Sequence, residues 1–523
     1  MPNLRSRAKK KVVVEDNKEN DEYVAKKAKF EKVVAKKSKI VLPKVIKVDS
    51  ECPSLGFVVY QENGLIYSAL LNQTNIAQNN NKFYLLQVLE SEKSPKQYNL
   101  WYRWGRVGYK GQTKLEALTL DRAKSEFEAK YHAKTSNKFG EKFEKRPGKY
   151  DLIPVDYSRQ DEEERRDDIE DEAVPCTLDP KVKSVIDLIS DLKAMEKHLK
   201  RLNFDTNRTP LGCITKEQIK IGYKLLSQIE KKINTKTFAT EFHALVSDYY
   251  TKIPHCFGMA QPPSLREFED IKDELSLLEA LVQTEVTVEN TKKQIEKVNP
   301  SDRNYQRLNC GLKPLAKSVK AYKTIEKYLK NTHGPTHKGY KMKLKNVFEL
   351  EKEGGFRSDI DNHQLLWHGS RLLNWFGILL KGLQIAPPEA PITGHMFGKG
   401  IYFADCASKS ANYCDAKHGE TGFLLLSQVA LGTSQELKTA KYEASKMPEG
   451  ISSTKGIGQM EPDSKKCEFL KIDGIKVKVP LGKIIEKENP DDYDLMYNEY
   501  IVYAREQVKL RYLVEIEFEA NEE

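Results

Sequence analysis

A segment that cannot join any folded core divides this chain. Residues 156–175, DYSRQDEEERRDDIEDEAVP, hold ten acidic and three basic residues and almost no apolar side chain. Like charges at that density repel one another, which keeps the backbone extended and solvated. The 523 residues are also more than one hydrophobic core usually holds. The sequence therefore predicts a multidomain protein in which residues 158–175 are an acidic linker.

The N-terminal end is basic. Residues 1–50 carry 15 lysines and arginines against 7 acidic residues, and residues 1–60 contain few bulky apolar side chains. We expect residues 1–60 to form a mostly disordered tail. Such a tail attracts nucleic acid, although a solvated tail that only aids solubility has the same composition. The clusters RSRAKKK and KKAKFEKVVAKKSK have the composition of nuclear import signals, so the predicted location is the nucleus.

Other classes of protein are disfavoured by what the sequence lacks. No apolar run approaches the roughly 18 residues of a membrane span, and the N-terminus has no apolar core typical of a secretory signal. None of the eight cysteines forms the C-x₂₋₄-C pair that begins most structural zinc sites. We expect reduced thiols, no metal and no membrane contact.

The remaining sequence predicts a multidomain α+β protein. In residues 61–157, KFYLLQVLE and YNLWYRWGRVGYKGQ have strand-like content, and a helical pattern follows them. Residues 176–305 carry apolar stripes at helical spacing, which predicts an all-α bundle. Residues 306–523 contain strand patterns such as KLRYLVEIEF, and we expect a mixed α/β domain with antiparallel sheets.

Two common nucleotide-binding motifs are absent. The segment FGKGIYF has Phe403 where a G-x-G-x-x-G motif requires its last glycine, and GHMFGKG has the wrong spacing for a phosphate-binding P-loop. Three other segments are rich in His, Tyr and Glu: QLLWHGSR (364–371), MFGKGIYFADCASKSANYC (396–414) and MYNEYIVY (496–503). Taken singly, each has an ordinary interpretation as core histidine, core aromatics or a solvated glutamate.

Together, these segments closely resemble the catalytic domain of the poly(ADP-ribose) polymerases. The resemblance rests on a His-Tyr-Glu signature: His368 in WHGS, Tyr402 in GKGIYFAD and Glu499 in YNEY. It implies an enzyme that takes NAD⁺ as substrate, cleaves the bond between nicotinamide and ribose, and transfers ADP-ribose. No metal is expected, because the leaving group is a neutral pyridine.

The resemblance also implies how NAD⁺ is held. His368 would hydrogen-bond the 2′-hydroxyl of the adenosine ribose. The backbone of Gly369 and the hydroxyl of Ser410 would bind the nicotinamide carboxamide. Tyr413 would stack on the nicotinamide ring, with Tyr402 against the other side. Aromatic walls and amide donors suit a flat leaving group.

Glu499 is the implied catalytic carboxylate. Bond cleavage develops positive charge on the sugar, and a nearby carboxylate stabilises that charge and polarises the acceptor hydroxyl. Met396, Tyr497 and Lys409 stand where the family contacts the acceptor ADP-ribose. A glutamate at 499 favours chain elongation, although some family members with this glutamate add mainly single units.

The resemblance continues into the N-terminal half. RWGRVGYKGQ resembles the WGR domain of the DNA-dependent members. It implies that Trp104 packs on a terminal sugar, that Arg106 contacts the backbone near a 5′-phosphorylated break, and that Asn81 and Tyr150 face DNA as well. From composition alone, Trp104 would be a core residue and Arg106 a surface charge. Sugar and phosphate contacts would recognise a DNA end without reading bases.

The helical block resembles the regulatory domain of the family, which would lie over the NAD⁺ site and loosen when DNA binds. Without zinc fingers, the chain resembles the short second member. Two positions depart from the family: Gln384 replaces an arginine on the adenine side, and Gln283 replaces an acidic residue. Expected acceptors are the protein itself and histones, with an accessory factor for serine modification. A mono-ADP-ribosyltransferase and a non-catalytic DNA-end scaffold remain alternatives.

Overall fold

The structure of the chain is a computed structural model. It describes residues 45–155, 157, 174–206, 214–291 and 298–521. The predicted import signals and residues 158–173 of the predicted linker lie outside the described residues. Among the helices that are described, none is long and apolar enough to cross a membrane.

The first folded part is an antiparallel sheet covered by one helix. Its elements are β1 Phe57–Val59, β2 Gln61–Glu62, β3 Leu65–Ile66, β4 Ser68–Asn75, β5 Asn80–Ser91, β6 Tyr98–Arg106, β7 Gln112–Leu118, α1 Leu120–Thr135 and β8 Asp151–Ile153. The main sheet has the order β7-β6-β5-β4-β8, and β1 pairs with β5. Leu100 and Tyr102 of β6 pack against Phe127 and Tyr131 of α1. The predicted strands and helix are confirmed.

The prediction of a disordered tail up to residue 60 is wrong for residues 45–60. Ile46 is fully buried, and its carbonyl accepts a 3.0 Å hydrogen bond from the backbone N–H of Val59. Asp49 forms an ion pair of 2.5 Å with Arg103, and both side chains are buried. These few anchoring residues are spread thinly through polar sequence, so no periodic pattern marks them.

The second part is helical, as predicted. It contains α2 Pro180–Ile189, α3 Leu192–Arg201, α4 Lys216–Asn234, α5 Thr240–Lys252, α6 Phe268–Thr291 and α7 Pro300–Leu308. The core is formed mainly by α4, α5 and α6, with Leu226, Val246 and Leu278 among its buried residues. The hydroxyl of Thr215 accepts from the backbone N–H of Gln218 at 3.2 Å and caps α4.

The apolar stripe predicted from Val182 to Leu199 is divided between two helices. Asp191 caps α3 by accepting hydrogen bonds from the backbone of Lys193 and Ala194. The residues of α2 pack into the core of the C-terminal part, whereas Leu199 of α3 packs with the other helices. One stripe therefore serves two different cores.

The C-terminal part contains three mixed or antiparallel sheets. Its strands are β9 Gly311–Pro314, β10 Lys341–Glu351, β11 His363–Gly369, β12 Ile401–Phe403, β13 Thr421–Ala430, β14 Ser434–Leu437, β15 Ser453–Gly456, β16 Gly458–Pro462, β17 Glu468–Ile472, β18 Ile475–Val479, β19 Ile484–Glu486, β20 Leu495–Tyr497, β21 Glu499–Val502 and β22 Val508–Glu519. Its helices are α8 Lys320–Asn331, α9 Trp375–Lys381 and α10 Ala407–Ala411. The sheets have the orders β17-β18-β11-β13-β22-β10-β9, β12-β21-β15-β14 and β19-β16-β20.

The helical part contacts both of its neighbours. Toward the N-terminal sheet, the hydroxyls of Thr251 and Ser247 on α5 accept backbone hydrogen bonds of 2.9 and 3.2 Å from β4 and the turn after it. Toward the C-terminal part, α6 packs against α9, where a side chain at Gly377 would collide with Gln283. The helices therefore connect the two sheet-containing parts.

Candidate active site

The three signature residues lie on neighbouring strands. His368 lies near the end of β11, Tyr402 in the middle of β12, and Glu499 at the start of β21. The imidazole Nδ1 of His368 is 2.9 Å from the backbone oxygen of Tyr402. Tyr402 pairs with Ile501, two residues after Glu499, in the β12–β21 ladder. Backbone pairing therefore brings together residues that are more than 130 positions apart in the sequence.

The environment of His368 fixes its protonation state. Burial lowers the pKa of His368 below its usual value, so the ring is neutral at physiological pH. Because the carbonyl of Tyr402 can only accept, Nδ1 carries the proton. Nε2 is then an acceptor, which can receive a hydrogen bond from a hydroxyl group.

Gly369 and Ser410 touch each other across the cleft. A Cβ atom at position 369 would lie 1.8 Å from the backbone oxygen of Ser410, so only glycine fits there. Ser410 is buried on the short helix α10. The two residues that were predicted to hold one carboxamide are therefore adjacent.

The two tyrosines differ in their surroundings. The hydroxyl of Tyr402 donates to the carbonyl of Gly398 at 2.7 Å and accepts from the backbone N–H of Phe397 at 3.1 Å, which fixes the ring. Tyr413 follows α10 and is 61% exposed. Desolvation by the surrounding protein atoms, together with the nearby carboxylate of Glu499, raises the pKa of both phenols. Both rings therefore lie in the electrostatic field of Glu499.

Glu499 is held by Lys409. The Nζ atom of Lys409 is 3.0 Å from a carboxylate oxygen of Glu499, and both side chains are largely buried. Nζ also donates to the carbonyls of Tyr497 and Asn498, at 2.8 and 3.4 Å. One ammonium group thus ties α10 to the strand that presents the glutamate.

A second group of residues supports Glu499, and it was not predicted from the sequence. Asn498, directly before Glu499, donates from Nδ2 to the carboxylate of Asp405 at 2.8 Å, and the hydroxyl of Tyr500 donates to the same oxygen at 3.0 Å. Asp405 is 2% exposed, and burial raises the pKa of Asp405. The only sequence signal for this network is that Asp405 and Asn498 lie inside the signature segments.

The predicted acceptor residues are not all accessible. Met396 is half-buried and packs beside Phe397. Tyr497 is 2% exposed, and its hydroxyl lies 2.7 Å from the hydroxyl of Thr336. The side chain of Tyr497 is therefore enclosed in this structure, and its predicted contact with the acceptor stays a prediction. Because side chains alternate along β20, Met496 faces outward instead.

Aromatic and basic side chains share one surface of the N-terminal sheet, which we call the basic aromatic surface: Lys82, Tyr84, Trp104, Lys134 and Tyr150. The rings of Trp104 and Tyr84 are stacked, with centroids 5.8 Å apart. Lys134 lies over the rings of Tyr84 and Tyr150, and Lys82 lies over Tyr150. Burial and the neighbouring lysines lower the pKa of Lys134. This surface is therefore poised to bind an anion.

Two residues that were predicted to contact DNA contact the helical part in this structure. Asn81 is 1% exposed, and its Nδ2 donates to the carbonyl of His255 at 2.8 Å. A loop of the helical part therefore covers Asn81 in this structure, and its predicted contact with DNA stays a prediction. Arg106 donates to the carbonyls of Gly258 and Ala260, at 2.5 and 2.6 Å, and to Asn79. Its predicted contact with DNA stays a prediction.

The two departures from the family lie in different surroundings. Gln384 is exposed, and its Nε2 donates to the carbonyls of Lys381 and Gly382. Gln283 lies on α6 against Gly377 of α9. Another carboxylate of the helical part, Glu230, accepts from the backbone and hydroxyl of Thr393, in the loop before β12. Contact between the helical part and this loop therefore does not depend on an acid at 283.

Family models match all three folded parts. A model of the poly(ADP-ribose) polymerase catalytic domain matches residues 319–518, a model of the regulatory domain of the same enzymes matches residues 176–305, and a WGR domain model matches residues 67–146.

Curated relatives agree with these matches. The chain is 45% identical to poly(ADP-ribose) polymerase 2 of Homo sapiens over 90% of this chain and 83% of the relative. It is 40% identical to poly(ADP-ribose) polymerase 2 of Arabidopsis thaliana, over 88% of this chain and 74% of the relative. It is 39% identical to poly(ADP-ribose) polymerase 1 of Danio rerio, over 88% of this chain and 46% of that longer protein. The chain belongs to the poly(ADP-ribose) polymerase family, as an NAD⁺ ADP-ribosyltransferase with a WGR domain, a regulatory domain and a catalytic domain.

Proposed function

We propose that DNA breaks with a 5′-phosphate activate this polymerase, which then transfers ADP-ribose from NAD⁺ to proteins and to the growing polymer. The observation that carries the proposal is the grouping of His368, Tyr402 and Glu499 on β11, β12 and β21. An isolated bridge between Trp367 and Ala404 joins β11 to the end of β12, and β12 pairs with β21. The grouping suits one dinucleotide with an adenosine end at His368 and a reacting ribose at Glu499.

NAD⁺ binding follows from the geometry of the cleft. The Nε2 atom of neutral His368 accepts from the 2′-hydroxyl of the adenosine ribose. Gly369 and Ser410 bind the carboxamide, and their contact leaves no room for a side chain at 369. Tyr402 forms a fixed wall for the nicotinamide ring, and the exposed ring of Tyr413 stacks on the other face.

Glu499 acts on the reacting ribose. As the bond to nicotinamide breaks, positive charge grows on the sugar carbon, and the carboxylate stabilises it electrostatically. The same carboxylate orients the acceptor hydroxyl and receives its proton. Lys409 and the Asn498–Asp405 pair hold the strand so that the carboxylate does not have to move during the reaction.

Regulation by DNA is proposed to pass through the helical domain. DNA would bind the basic aromatic surface, where a phosphate relieves the repulsion between Lys134 and its neighbours. The adjacent Arg106 holds the loop at Gly258, and Glu230 of the same helical domain holds Thr393 beside the NAD⁺ cleft. A shift in either contact changes the fraction of molecules in which the helical domain covers the NAD⁺ cleft.

The partners follow from this activity. Acceptors are proposed to be the protein itself and histones, with an accessory factor that completes the site for serine modification. The proposed location is the nucleus.

The decisive experiment measures NAD⁺ consumption with and without a 5′-phosphorylated nicked duplex. We expect consumption to rise on addition of the duplex, and the modified protein to migrate as a ladder on a gel. A single sharp shift would identify a mono-ADP-ribosyltransferase, which some relatives with this glutamate resemble. DNA binding without NAD⁺ consumption would identify a scaffold and overturn the proposal.

A further inference from the structure

The hairpin formed by β17 and β18 presents one basic face to solvent. In its register Phe469 pairs with Lys478, and Lys471 pairs with Lys476. Side chains of paired residues point to the same side of a sheet. Because Leu470 and Val477 point inward to the core, these four residues form the outward face, which we call the lysine face: Phe469, Lys471, Lys476 and Lys478.

The lysine face carries charge that the protein does not neutralise. Lys471 and Lys476 are directly opposite, and like charges in that position repel. The acids of the hairpin are engaged elsewhere: Glu468 pairs with Lys327 on α8, and Asp473 pairs with Lys509 and Arg511.

Within the described part of the chain, the lysines of this face form no ion pair. Residues 463–483 contain six lysines and three acids, a net charge of +3. Such a surface binds a polyanion by releasing its counterions.

An exposed aromatic ring lies among these charges. Phe469 is 46% exposed, and the Nζ atom of Lys476 lies 4.1 Å from the centre of its ring. Exposed rings beside cations are typical of surfaces that bind single-stranded polyanions with unpaired bases. Duplex DNA hides the faces of its bases, so a ring in this position favours an unpaired adenine.

The lysine face is joined by direct contacts to the acceptor side of the cleft. Just after β18, the carbonyl of Leu481 accepts from Nδ2 of Asn331 at 2.8 Å. Five residues later, Thr336 bonds the hydroxyl of Tyr497, whose carbonyl binds Lys409 beside Glu499. The segment that follows the hairpin is therefore linked to the acceptor side through the end of α8 and the turn after it.

We propose that the lysine face binds the growing poly(ADP-ribose) chain during elongation. Each repeating unit carries two phosphates for the lysines and one adenine for Phe469. The inference rests on the proposed acceptor side near Lys409. A polymer held at this face stays near the cleft between additions, which raises its effective concentration as an acceptor.

The test compares two triple variants of the full chain. One is Lys471→Gln, Lys476→Gln and Lys478→Gln. The control is Lys313→Gln, Lys317→Gln and Lys341→Gln, which removes the same charge near the opposite edge of the same sheet. Each is first measured for binding to purified poly(ADP-ribose) by fluorescence anisotropy, which needs no catalysis. We expect the first triple to weaken binding about tenfold, and the slope of log K against log salt to fall by about 2, near 0.7 per lost contact.

Elongation is measured next, at equal NAD⁺ consumption and with nicked DNA. We expect shorter polymers from the lysine-face triple, with an initial NAD⁺ consumption rate within twofold of the wild type. Equal losses in both triples, unchanged polymer affinity, or lost affinity for duplex DNA in place of polymer would each overturn the proposal. Weaker polymer binding with full-length products would also overturn it. If the wild type makes no ladder, the proposed polymer formation is wrong. The anisotropy measurement with purified poly(ADP-ribose) still tests whether the lysine face binds the polymer.

Discussion

The catalytic cleft and the WGR sheet use their motif residues differently. In the cleft, His368, Tyr402 and Glu499 are placed by backbone pairing within one domain. In the WGR sheet, Asn81 and Arg106 contact a loop of the regulatory domain, and Trp104 stays on the basic aromatic surface. Motif residues on neighbouring strands of one domain are therefore committed to their site, whereas motif residues at a domain boundary have a structural contact that competes with ligand binding.

The largest effect is expected in the cleft, from Glu499→Gln. The change keeps the shape of the side chain and removes its charge, so it loses both stabilisation of the sugar cation and proton transfer. We expect elongation to fall by about 10²- to 10³-fold. Gel ladders and NAD⁺ consumption measure the loss, and duplex DNA affinity should stay unchanged.

Glu506→Gln is the matched control for this prediction, because Glu506 is an exposed glutamate between β21 and β22. Its ladder should equal that of the wild type. Normal elongation by Glu499→Gln would contradict the assigned role of the carboxylate.

The next effect tests the WGR side of the comparison. Trp104→Ala removes a stacking ring from the basic aromatic surface and should cost about 1–3 kcal/mol of DNA affinity, roughly 5- to 150-fold. Arg106→Ala removes hydrogen bonds to Gly258 and Ala260, so it should reduce the stimulation of NAD⁺ consumption by DNA more than it reduces affinity. Anisotropy with a nicked duplex and NAD⁺ assays separate the two effects.

Arg122→Ala is the control, since Arg122 is an exposed arginine on α1 paired with Glu126. If Arg106→Ala weakens DNA binding as much as Trp104→Ala does, Arg106 is a DNA contact first. The contrast between the motif residues of the catalytic cleft and those at the boundary of the WGR sheet would then be wrong.

Local patterns predicted the elements and much of the site. The alternation in KLRYLVEIEF predicts β22, and the spacing around Phe127 predicts α1, because a single buried face sets each period. Alternation also explains why Tyr497 is buried and Met496 is exposed, since the two side chains must point to opposite sides of β20. That inference was available from the sequence.

Contacts between distant parts of the chain could not be predicted from local sequence patterns in the same way. The burial of Asn81 depends on where the loop at His255 lies, and no period in either segment encodes that position. The ordering of residues 45–60 depends on Asp49 meeting Arg103 across the sheet. Such contacts are set by docking, whereas a sequence pattern reports only local burial.

A smaller effect concerns Asp405 behind Glu499. Burial raises the pKa of Asp405, so the folded chain keeps this proton to a higher pH than the unfolded chain, whose value is about 3.9. The contribution of Asp405 to the stability of the wild type is therefore lost as pH rises from the pKa of the unfolded chain through the higher pKa of the folded chain. Asp405→Asn removes that loss.

Chemical denaturation at several pH values measures this prediction. The free energy of unfolding of Asp405→Asn, relative to the wild type, should increase as pH rises from 4 toward neutrality. Asp361→Asn, at an exposed position, should show no such trend. A relative stability that decreases with pH would mean that the hydrogen bonds from Asn498 and Tyr500 outweigh desolvation.

The smallest expected effect is a KM for NAD⁺ that changes little with pH. It follows from the lowered pKa of His368, which differs in its causes from the lowered pKa of Lys134. Burial and neighbouring lysines lower the pKa of Lys134, and a bound phosphate would reverse part of that shift. The pKa of His368 is lowered by burial alone. An ordinary histidine, with a pKa of about 6.5, would raise the KM for NAD⁺ about fourfold between pH 8 and pH 6, because only the neutral ring accepts from a hydroxyl. For His368, whose pKa is lowered, we expect a smaller change than this, measured with DNA at saturation. A fourfold rise that persists in His418→Gln, which removes an exposed histidine of the same domain, would mean that His368 is protonated in this range and that the cleft does not fix its ligand-binding atom.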